Sequence, residues 1–280
     1  MEGKPSESGI AAMADHYKNF DPTTFFQNFV SPEESRLDKK DSLMSWKLSC
    51  LHRAFSEGDM KGDLLVDIGS GPSIYQVMSA CEVFNKVILT DFLEVNRNEL
   101  KLWLQNEGGS KMDWTPFLKK VCELEGRSPS EWTEKAARLR QVVTDVLPVD
   151  VHRPQPLALH ALPPAGADCL VSAFCLESAS PDLATFNRAL GHIGGLLRPR
   201  GHLLLIGRLQ ENYYFVGPGV KIPVVPLNEA QVCDSLKENG FTLIRLEVYT
   251  VSQDETIGAS DQERIFFVKA VKSLKVWKKR

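Results

Sequence analysis

The sequence predicts an α/β fold built on a mainly parallel sheet, and three observations carry that prediction. Leu64-Leu65-Val66-Asp67-Ile68 is an apolar run that ends in Gly69-Ser70-Gly71. It reads as a buried parallel strand running into a tight turn. Lys86 to Thr90 reads as a second strand, closed by Asp91. From there to the end, apolar runs of strand length alternate with stretches of helical spacing. That alternation is the pattern of parallel strands joined by crossover helices.

Gly69 and Gly71 lack Cβ atoms, so the backbone can turn sharply and lie directly against a ligand. Ser73 to Ala80 reads as the first crossover helix. Strand, glycine turn and helix form a nucleotide-type binding corner at the carboxyl end of a strand. A dinucleotide fingerprint asks for G-x-G-x-x-G, and its third glycine would fall at Ile74. Asp91 ends the next strand, where an acid suits hydrogen bonds to ribose hydroxyls. NAD and S-adenosylmethionine both carry such a ribose. The absent third glycine favours S-adenosylmethionine and leaves an NAD(P)-dependent oxidoreductase as the weaker alternative.

The remaining elements follow in order. Residues 1–14 are small and polar and are expected to be disordered. Residues 15–280 are read as one domain, with 15–60 as an N-terminal cover. Tyr17, Phe20, Phe25, Phe26 and Phe29 make the start of that cover dense in aromatics. They either staple an arm to the core or form a lid that excludes water from a ligand. Ser42 to Phe55 has helical spacing. Glu94 to Gln105 is the second crossover helix. Residues 106–140 read as a charged insertion, with a helix from Glu131 to about Val143. Val146 to Val151 is the third strand, and Pro154 to Pro164 is a proline-rich loop. Ala167 to Phe174 is the fourth strand, followed by a helix from Leu183 to Leu197. Arg198 to Gly201 turns into a fifth strand, His202 to Ile206. Glu229 to Asn239 is a helix closed by Gly240. Phe241 to Tyr249 and Ile265 to Val271 form a final hairpin-like pair, which implies one antiparallel strand.

Composition narrows the function classes. The 280 residues are 43% hydrophobic and 25% charged, ordinary for a soluble globular protein. A net charge of −3 gives no reason to expect nucleic acid or anionic lipid as a partner. The basic tail Lys275 to Arg280 reads as a solvated terminus. The six cysteines include no C-x-x-C pair, which argues against a zinc site. No signal region or membrane-length apolar window is visible, so the expectation is a cytoplasmic protein with reduced thiols.

The glycine corner is followed by Thr90-Asp91-Phe92-Leu93-Glu94-Val95-Asn96-Arg97, Asp150-Val151-His152, Val171-Ser172-Ala173-Phe174-Cys175-Leu176-Glu177 and Leu203-Leu204-Leu205-Ile206-Gly207. In this order and spacing the chain resembles the small-molecule amine methyltransferases, which include the phenylethanolamine, indolethylamine and nicotinamide N-methyltransferases. The likeness runs from about Tyr17 to the last strand, and the phrases around Asp91 and Glu177 are nearest to the phenylethanolamine branch. It implies the class I S-adenosylmethionine-dependent methyltransferase fold, with a seven-stranded, mostly parallel sheet and an N-terminal lid.

The resemblance also implies roles. Gly69, Ser70, Gly71, Ser73 and Tyr75 would hold the amino-acid end of S-adenosylmethionine. Asp91 would bind the ribose, with Phe92 and Asn96 beside it. Asp150 and Val151 would meet the adenine, although Asp150 alone also reads as a turn cap. Ala173 and Cys175 would line the methyl-donor side, and Tyr17 would close over it. Lys47, Phe174 and Tyr214 would complete an acceptor pocket. Glu177 and Glu211 would steer a protonated amine and help remove its proton. Read without the resemblance, Glu177 is a helix cap and Glu211 a solvated loop acid.

The chain departs from the phenylethanolamine branch at cofactor-side positions Phe25 and Val30, where that branch carries tyrosines. Ser260 stands where it has a substrate-binding aspartate, with Asp261 one step along. Gly207 stands where a nicotinamide enzyme would want an aspartate. The expected activity is N-methylation of an arylethylamine, most nearly a phenylethanolamine such as noradrenaline, by a monomer that needs no metal. The alternatives are an indolethylamine or broad-specificity amine N-methyltransferase and a non-catalytic S-adenosylmethionine-binding relative.

Overall fold

The computed structural model describes residues 7–33, 35–106, 108–158, 160–217, 220–251 and 264–274. The chain opens with α1 (Glu7–His16) and α2 (Pro22–Phe25), and a π-helical turn, Phe26–Val30, continues α2. Helix α1 corrects the expectation of disorder for residues 7–14. Its Glu, Ala and Met residues are strong helix formers, and Met13 is buried. Next comes α3 (Leu43–Ser56), capped by Ser42, whose side chain accepts from the Ser45 amide.

Strand β1 (Leu64–Ile68) is buried throughout. Two short 3₁₀ turns, Tyr75–Val77 and Ala80–Glu82, replace the helix expected over residues 73–80. Gln76 folds back and its amide donates to the Ser70 carbonyl at 3.0 Å. That contact ties the segment under the glycine turn, and i→i−3 bonds such as Met78 N to Tyr75 O take over. Strand β2 (Lys86–Asp91) and α4 (Glu94–Gln105) fall where the sequence puts them.

The segment 106–140 carries α5 (Thr115–Leu124), which the sequence reading did not resolve, and most of α6 (Trp132–Val142). It is tied down by fully buried Lys135, which pairs with Glu82 at 2.8 Å and with Glu125. Strand β3 (Val143–Pro148) starts three residues before its expected position, straight out of α6. Then follow β4 (Ala167–Ala173), the short α7 (Leu176–Ala179) and α8 (Leu183–Gly194).

Strand β5 (Leu197–Leu209) absorbs the turn expected at residues 198–201 as an irregularity in its pairing with β4. An unanticipated hairpin comes next, β6 (Tyr213–Gly217) and β7 (Val220–Pro223). Helix α9 (Glu229–Glu238), β8 (Phe241–Thr250) and β9 (Arg264–Lys272) end the described chain.

The sheet order is β3-β2-β1-β4-β5-β9-β8. Strand β9 runs antiparallel to both neighbours, and the other pairs are parallel. Side chains alternate between two cores, one on each face. Leu65, Val87, Val171 and Phe267 join one with α3, α5 and α6. Val66, Ile88, Leu170 and Val268 join the other with α8 and α9. A sheet covered on both faces leaves its carboxyl edge for ligands. Among the described residues, no helix is long and apolar enough to cross a membrane.

Candidate active site

Strands β1 and β4 lie side by side and their connections leave in opposite directions, which opens a crevice beyond their carboxyl ends. A cavity of about 510 Å³ occupies it. That lies within the usual range for small-molecule sites.

One end of the cavity is made by the glycine turn and the end of β2. Gly69 has φ 67°, and a Cβ there would sit 2.3 Å from Cys175 Sγ. Only glycine fits that approach. The Ser70 amide donates to the Thr90 carbonyl at 2.7 Å, which locks the turn to β2. Asp91 is buried yet borders the cavity. One of its oxygens accepts from the Gly71 amide at 2.8 Å, the other from the Leu93 amide at 2.8 Å and from Asn96 Nδ2 at 3.0 Å. Burial pushes its carboxyl upward, and these donors oppose the shift. Beneath them lies Asp67, fully buried. Burial raises its carboxyl to about 7, Ser70 opposes the rise, and the Asp91 charge adds to it.

The other end is aromatic. Phe174 directly follows β4 with φ 55°, a left-handed backbone that costs a bulky side chain energy. Its amide donates to the Ile206 carbonyl at 2.7 Å. Buried Lys47, from α3, places Nζ 4.6 Å from the Tyr75 ring centre and 5.2 Å from that of Phe174. The Arg208 guanidinium lies 4.7 Å from the Phe174 ring centre and 4.4 Å from that of Tyr214. Over this end, the hydroxyls of Tyr17 and Tyr214 meet at 2.9 Å. Burial pushes both phenols up.

The structure gathers most of the expected site residues around this one space. Gly69, Ser70, Gly71, Ser73, Tyr75 and Asp91 border it, as do Phe92 and Asn96. So do Tyr17, Phe25, Val30, Asp150, Val151, Ala173 and Cys175, and on the acceptor side Lys47, Phe174 and Tyr214. Phe92 is 56% exposed and forms an open rim. Asp150 is also the turn cap its sequence context allows, since it accepts from the His152 amide at 3.0 Å.

Glu177 and Glu211 lie apart from the other expected residues. Neither borders the cavity. Glu177 is 2% exposed, and its Oε1 accepts from the Arg208 amide at 3.1 Å. Burial pushes its carboxyl up, and the Arg208 charge opposes this. Hydrogen bond and charge together draw it onto β5 and away from the space. Glu211 is buried in the bend after β5. Ser260 and Asp261 lie outside the described residues. A Cβ at Gly207 would come within 2.8 Å of Phe266 and 3.0 Å of Glu177 Oε1, so that position has no room for an aspartate.

Sequence reasoning missed Arg208, His152 and Ser178 as lining residues, whereas Phe20 and Phe29, read as part of an arm or a lid, do border the space. The signal for Arg208 was available: a charged residue directly after the apolar run Leu203 to Ile206, at the ligand-side end of the strand. His152 adjoins Asp150 and anchors α7 through a 2.8 Å contact between Nε2 and the Ala179 carbonyl.

The family model described as the NNMT/PNMT/TEMT family matches residues 8–273. The chain is 45% identical to phenylethanolamine N-methyltransferase of Bos taurus over 271 residues, 97% of this chain and 95% of that protein. It is 44% identical to the Homo sapiens protein of the same name over 267 residues, 95% and 94% of the two chains. Against nicotinamide N-methyltransferase of Homo sapiens the identity is 38% over 255 residues, 91% and 94%. A magnesium protoporphyrin IX methyltransferase from Synechocystis with bound SAH shares the fold, with TM-score 0.56 and 14% identity, over 95% of this chain and 100% of that one. A SAM-dependent methyltransferase from Leishmania major does so at TM-score 0.57 and 10% identity, over 94% and 82%. With a family match from residue 8 to residue 273 laid over the class I strand order, the chain belongs to the NNMT/PNMT/TEMT family of S-adenosylmethionine-dependent methyltransferases.

Proposed function

We propose that this protein transfers a methyl group from S-adenosylmethionine to the amine nitrogen of an arylethylamine of the phenylethanolamine type, acting as a cytosolic monomer. One observation carries the reading: a ribose-type corner at Gly69 and Asp91 opens into the same cavity as the rings of Phe174 and Tyr214. The identity to phenylethanolamine N-methyltransferases over nearly the whole chain supports it.

The residues fit the donor. Gly69 leaves room for it where a Cβ would block the turn. Asp91, already held by three donors, presents a fixed carboxylate for the ribose hydroxyls. Ser73 and Tyr75 lie beside the turn for the amino-acid end, and Asp150 and Val151 for the adenine. When bound, S-adenosylmethionine supplies a methyl group on a positively charged sulfur. The chain's own work is alignment. Phe174 and Tyr214, with the Arg208 guanidinium against both rings, line the acceptor end, and Tyr17 shuts out water. Fixing two reactants in line can supply on the order of 7–11 kcal/mol of the barrier.

The buried positions of Glu177 and Glu211 favour a second reading, a cofactor-binding protein without turnover. Transfer of labelled methyl to noradrenaline, phenethylamine, tryptamine and nicotinamide, measured in parallel, decides between them. The expected result is transfer to the arylethylamines and little to nicotinamide. Binding of S-adenosylmethionine with no transfer to any amine would leave the second reading standing.

A further inference from the structure

Asp67 is the penultimate residue of β1, two positions before Gly69, and it is fully buried. Neither of its carboxyl oxygens meets a hydrogen-bond donor among the described residues. The Ser70 hydroxyl, which opposes the rise of this carboxyl, donates to the Asp67 backbone carbonyl at 3.4 Å. Across the sheet, Asp67 is paired with Leu89 on β2 and Val171 on β4, both apolar and buried. Lys47, from α3, is directed at the Tyr75 and Phe174 rings. The charge that reaches Asp67 is that of Asp91, and it is of like sign. A second negative charge under the same turn is therefore unfavourable, and Asp67 tends to keep its proton until positive charge arrives. Its own charge is felt by Tyr75 and by Cys175, and both border the cavity. A cation seated among these residues acts on Asp67 across the glycine turn without touching it.

We infer that Asp67 senses the charge of the methyl donor: it gives up its proton when the sulfonium of S-adenosylmethionine is seated on the Cys175 side of the turn, and takes it back once the methyl group has left. This deepens the proposed function and rests on its donor half alone. On loading, the carboxyl O–H bond breaks and the proton passes to solvent, which leaves a carboxylate to balance the sulfonium. After transfer the sulfur is an uncharged thioether. The carboxylate has then lost its counter-charge and a proton returns from solvent. The part of the affinity that came from the charge pair goes with it, so Asp67 favours the donor over the spent product.

The test is calorimetric binding of S-adenosylmethionine and S-adenosylhomocysteine at pH 6.5 in buffers of different ionisation enthalpy, which counts the protons released. The wild type is compared with Asp67→Asn and Asp67→Ala, and the difference cancels any proton exchanged by the ligand itself. With the carboxyl at about 7 in the free protein, the wild type should release roughly three-quarters of a proton more than either variant on binding S-adenosylmethionine. On binding S-adenosylhomocysteine the excess should be less than about half of that. Relative to the variants, wild-type affinity for S-adenosylmethionine should gain about tenfold between pH 6 and pH 8. Circular dichroism and urea unfolding report that each variant is folded. A merely structural acid would move neither the proton count nor its dependence on the charge of the ligand. Proton release equal in the wild type and both variants, or an excess equal for the two ligands, overturns the inference. The expected excess without methyl transfer to any amine instead defeats the proposed reaction and leaves Asp67's role standing.

Discussion

At one end of the cavity, the turn from Gly69 to Gly71 is fixed to β2 by the Ser70 amide on the Thr90 carbonyl and by the Gly71 amide on the Asp91 carboxylate. At the other, Tyr17, Tyr214 and Arg208 come from the segment after α1, from β6 and from β5, and they meet through side chains. The first end is set by the sheet itself. A substitution there must move strands. The second end is set by side chains on elements that pack against the sheet edge, so it can change its chemistry and leave the fold alone. One scaffold can therefore hold a constant donor and a variable acceptor.

The largest expected effect tests the fixed end. Asp91→Ala removes the acceptor shared by Gly71, Leu93 and Asn96, together with the ribose partner. Affinity for S-adenosylmethionine should fall at least about a hundredfold in titration calorimetry, since hydrogen bonds to a charged group are worth about 1.5–3 kcal/mol each. Retention of near-normal affinity would mean that the two ends are not built differently.

A smaller effect concerns the acid below that turn. Burial places the Asp67 carboxyl at about 7 in the folded protein, against 3.8 for the unperturbed group. Between those values the folded state holds a proton that the unfolded state has lost. Stability therefore falls as pH rises through that window and levels off above about 7. Asp67→Asn removes this penalty. Urea unfolding of the cofactor-free variant should show a gain that grows by about 2.5 kcal/mol between pH 5 and pH 8, most of it below pH 7. A gain independent of pH would contradict the cause given.

The smallest effect tests the adaptable end. Tyr17→Phe deletes one hydroxyl of the Tyr17–Tyr214 pair. A net contribution of about 1 kcal/mol predicts a rise of roughly fivefold in amine KM at saturating donor, with S-adenosylmethionine affinity within about twofold. A larger loss of donor affinity would move Tyr17 from the acceptor end to the fixed end.

The same contrast decides what could be read in advance. Gly69, Gly71 and Asp91 announce themselves because their chemistry is local: a turn that excludes Cβ, an acid that closes a strand. The mainly parallel sheet follows from alternation and the right-handed crossover. Helix α1 was overlooked because its polar residues hide one buried Met13, and its partners lie across the fold. The β6–β7 hairpin and the 3₁₀ turns after Gly71 depend on tertiary contacts, such as Gln76 reaching Ser70, which spacing does not reveal. Glu177 and Glu211 were named through resemblance. The bond that holds Glu177 comes from the backbone amide of residue 208, a tertiary contact that spacing does not reveal.

Tyr17 and Tyr214 stand 197 positions apart in the chain and touch at their hydroxyls above the aromatic end. Together they work as a clasp between the front of the polypeptide and its late hairpin. Reactants entering by that mouth, and products leaving by it, have to part the clasp. Each turnover then contains an opening event as well as a bond exchange, and the pace of the cycle is shared between them.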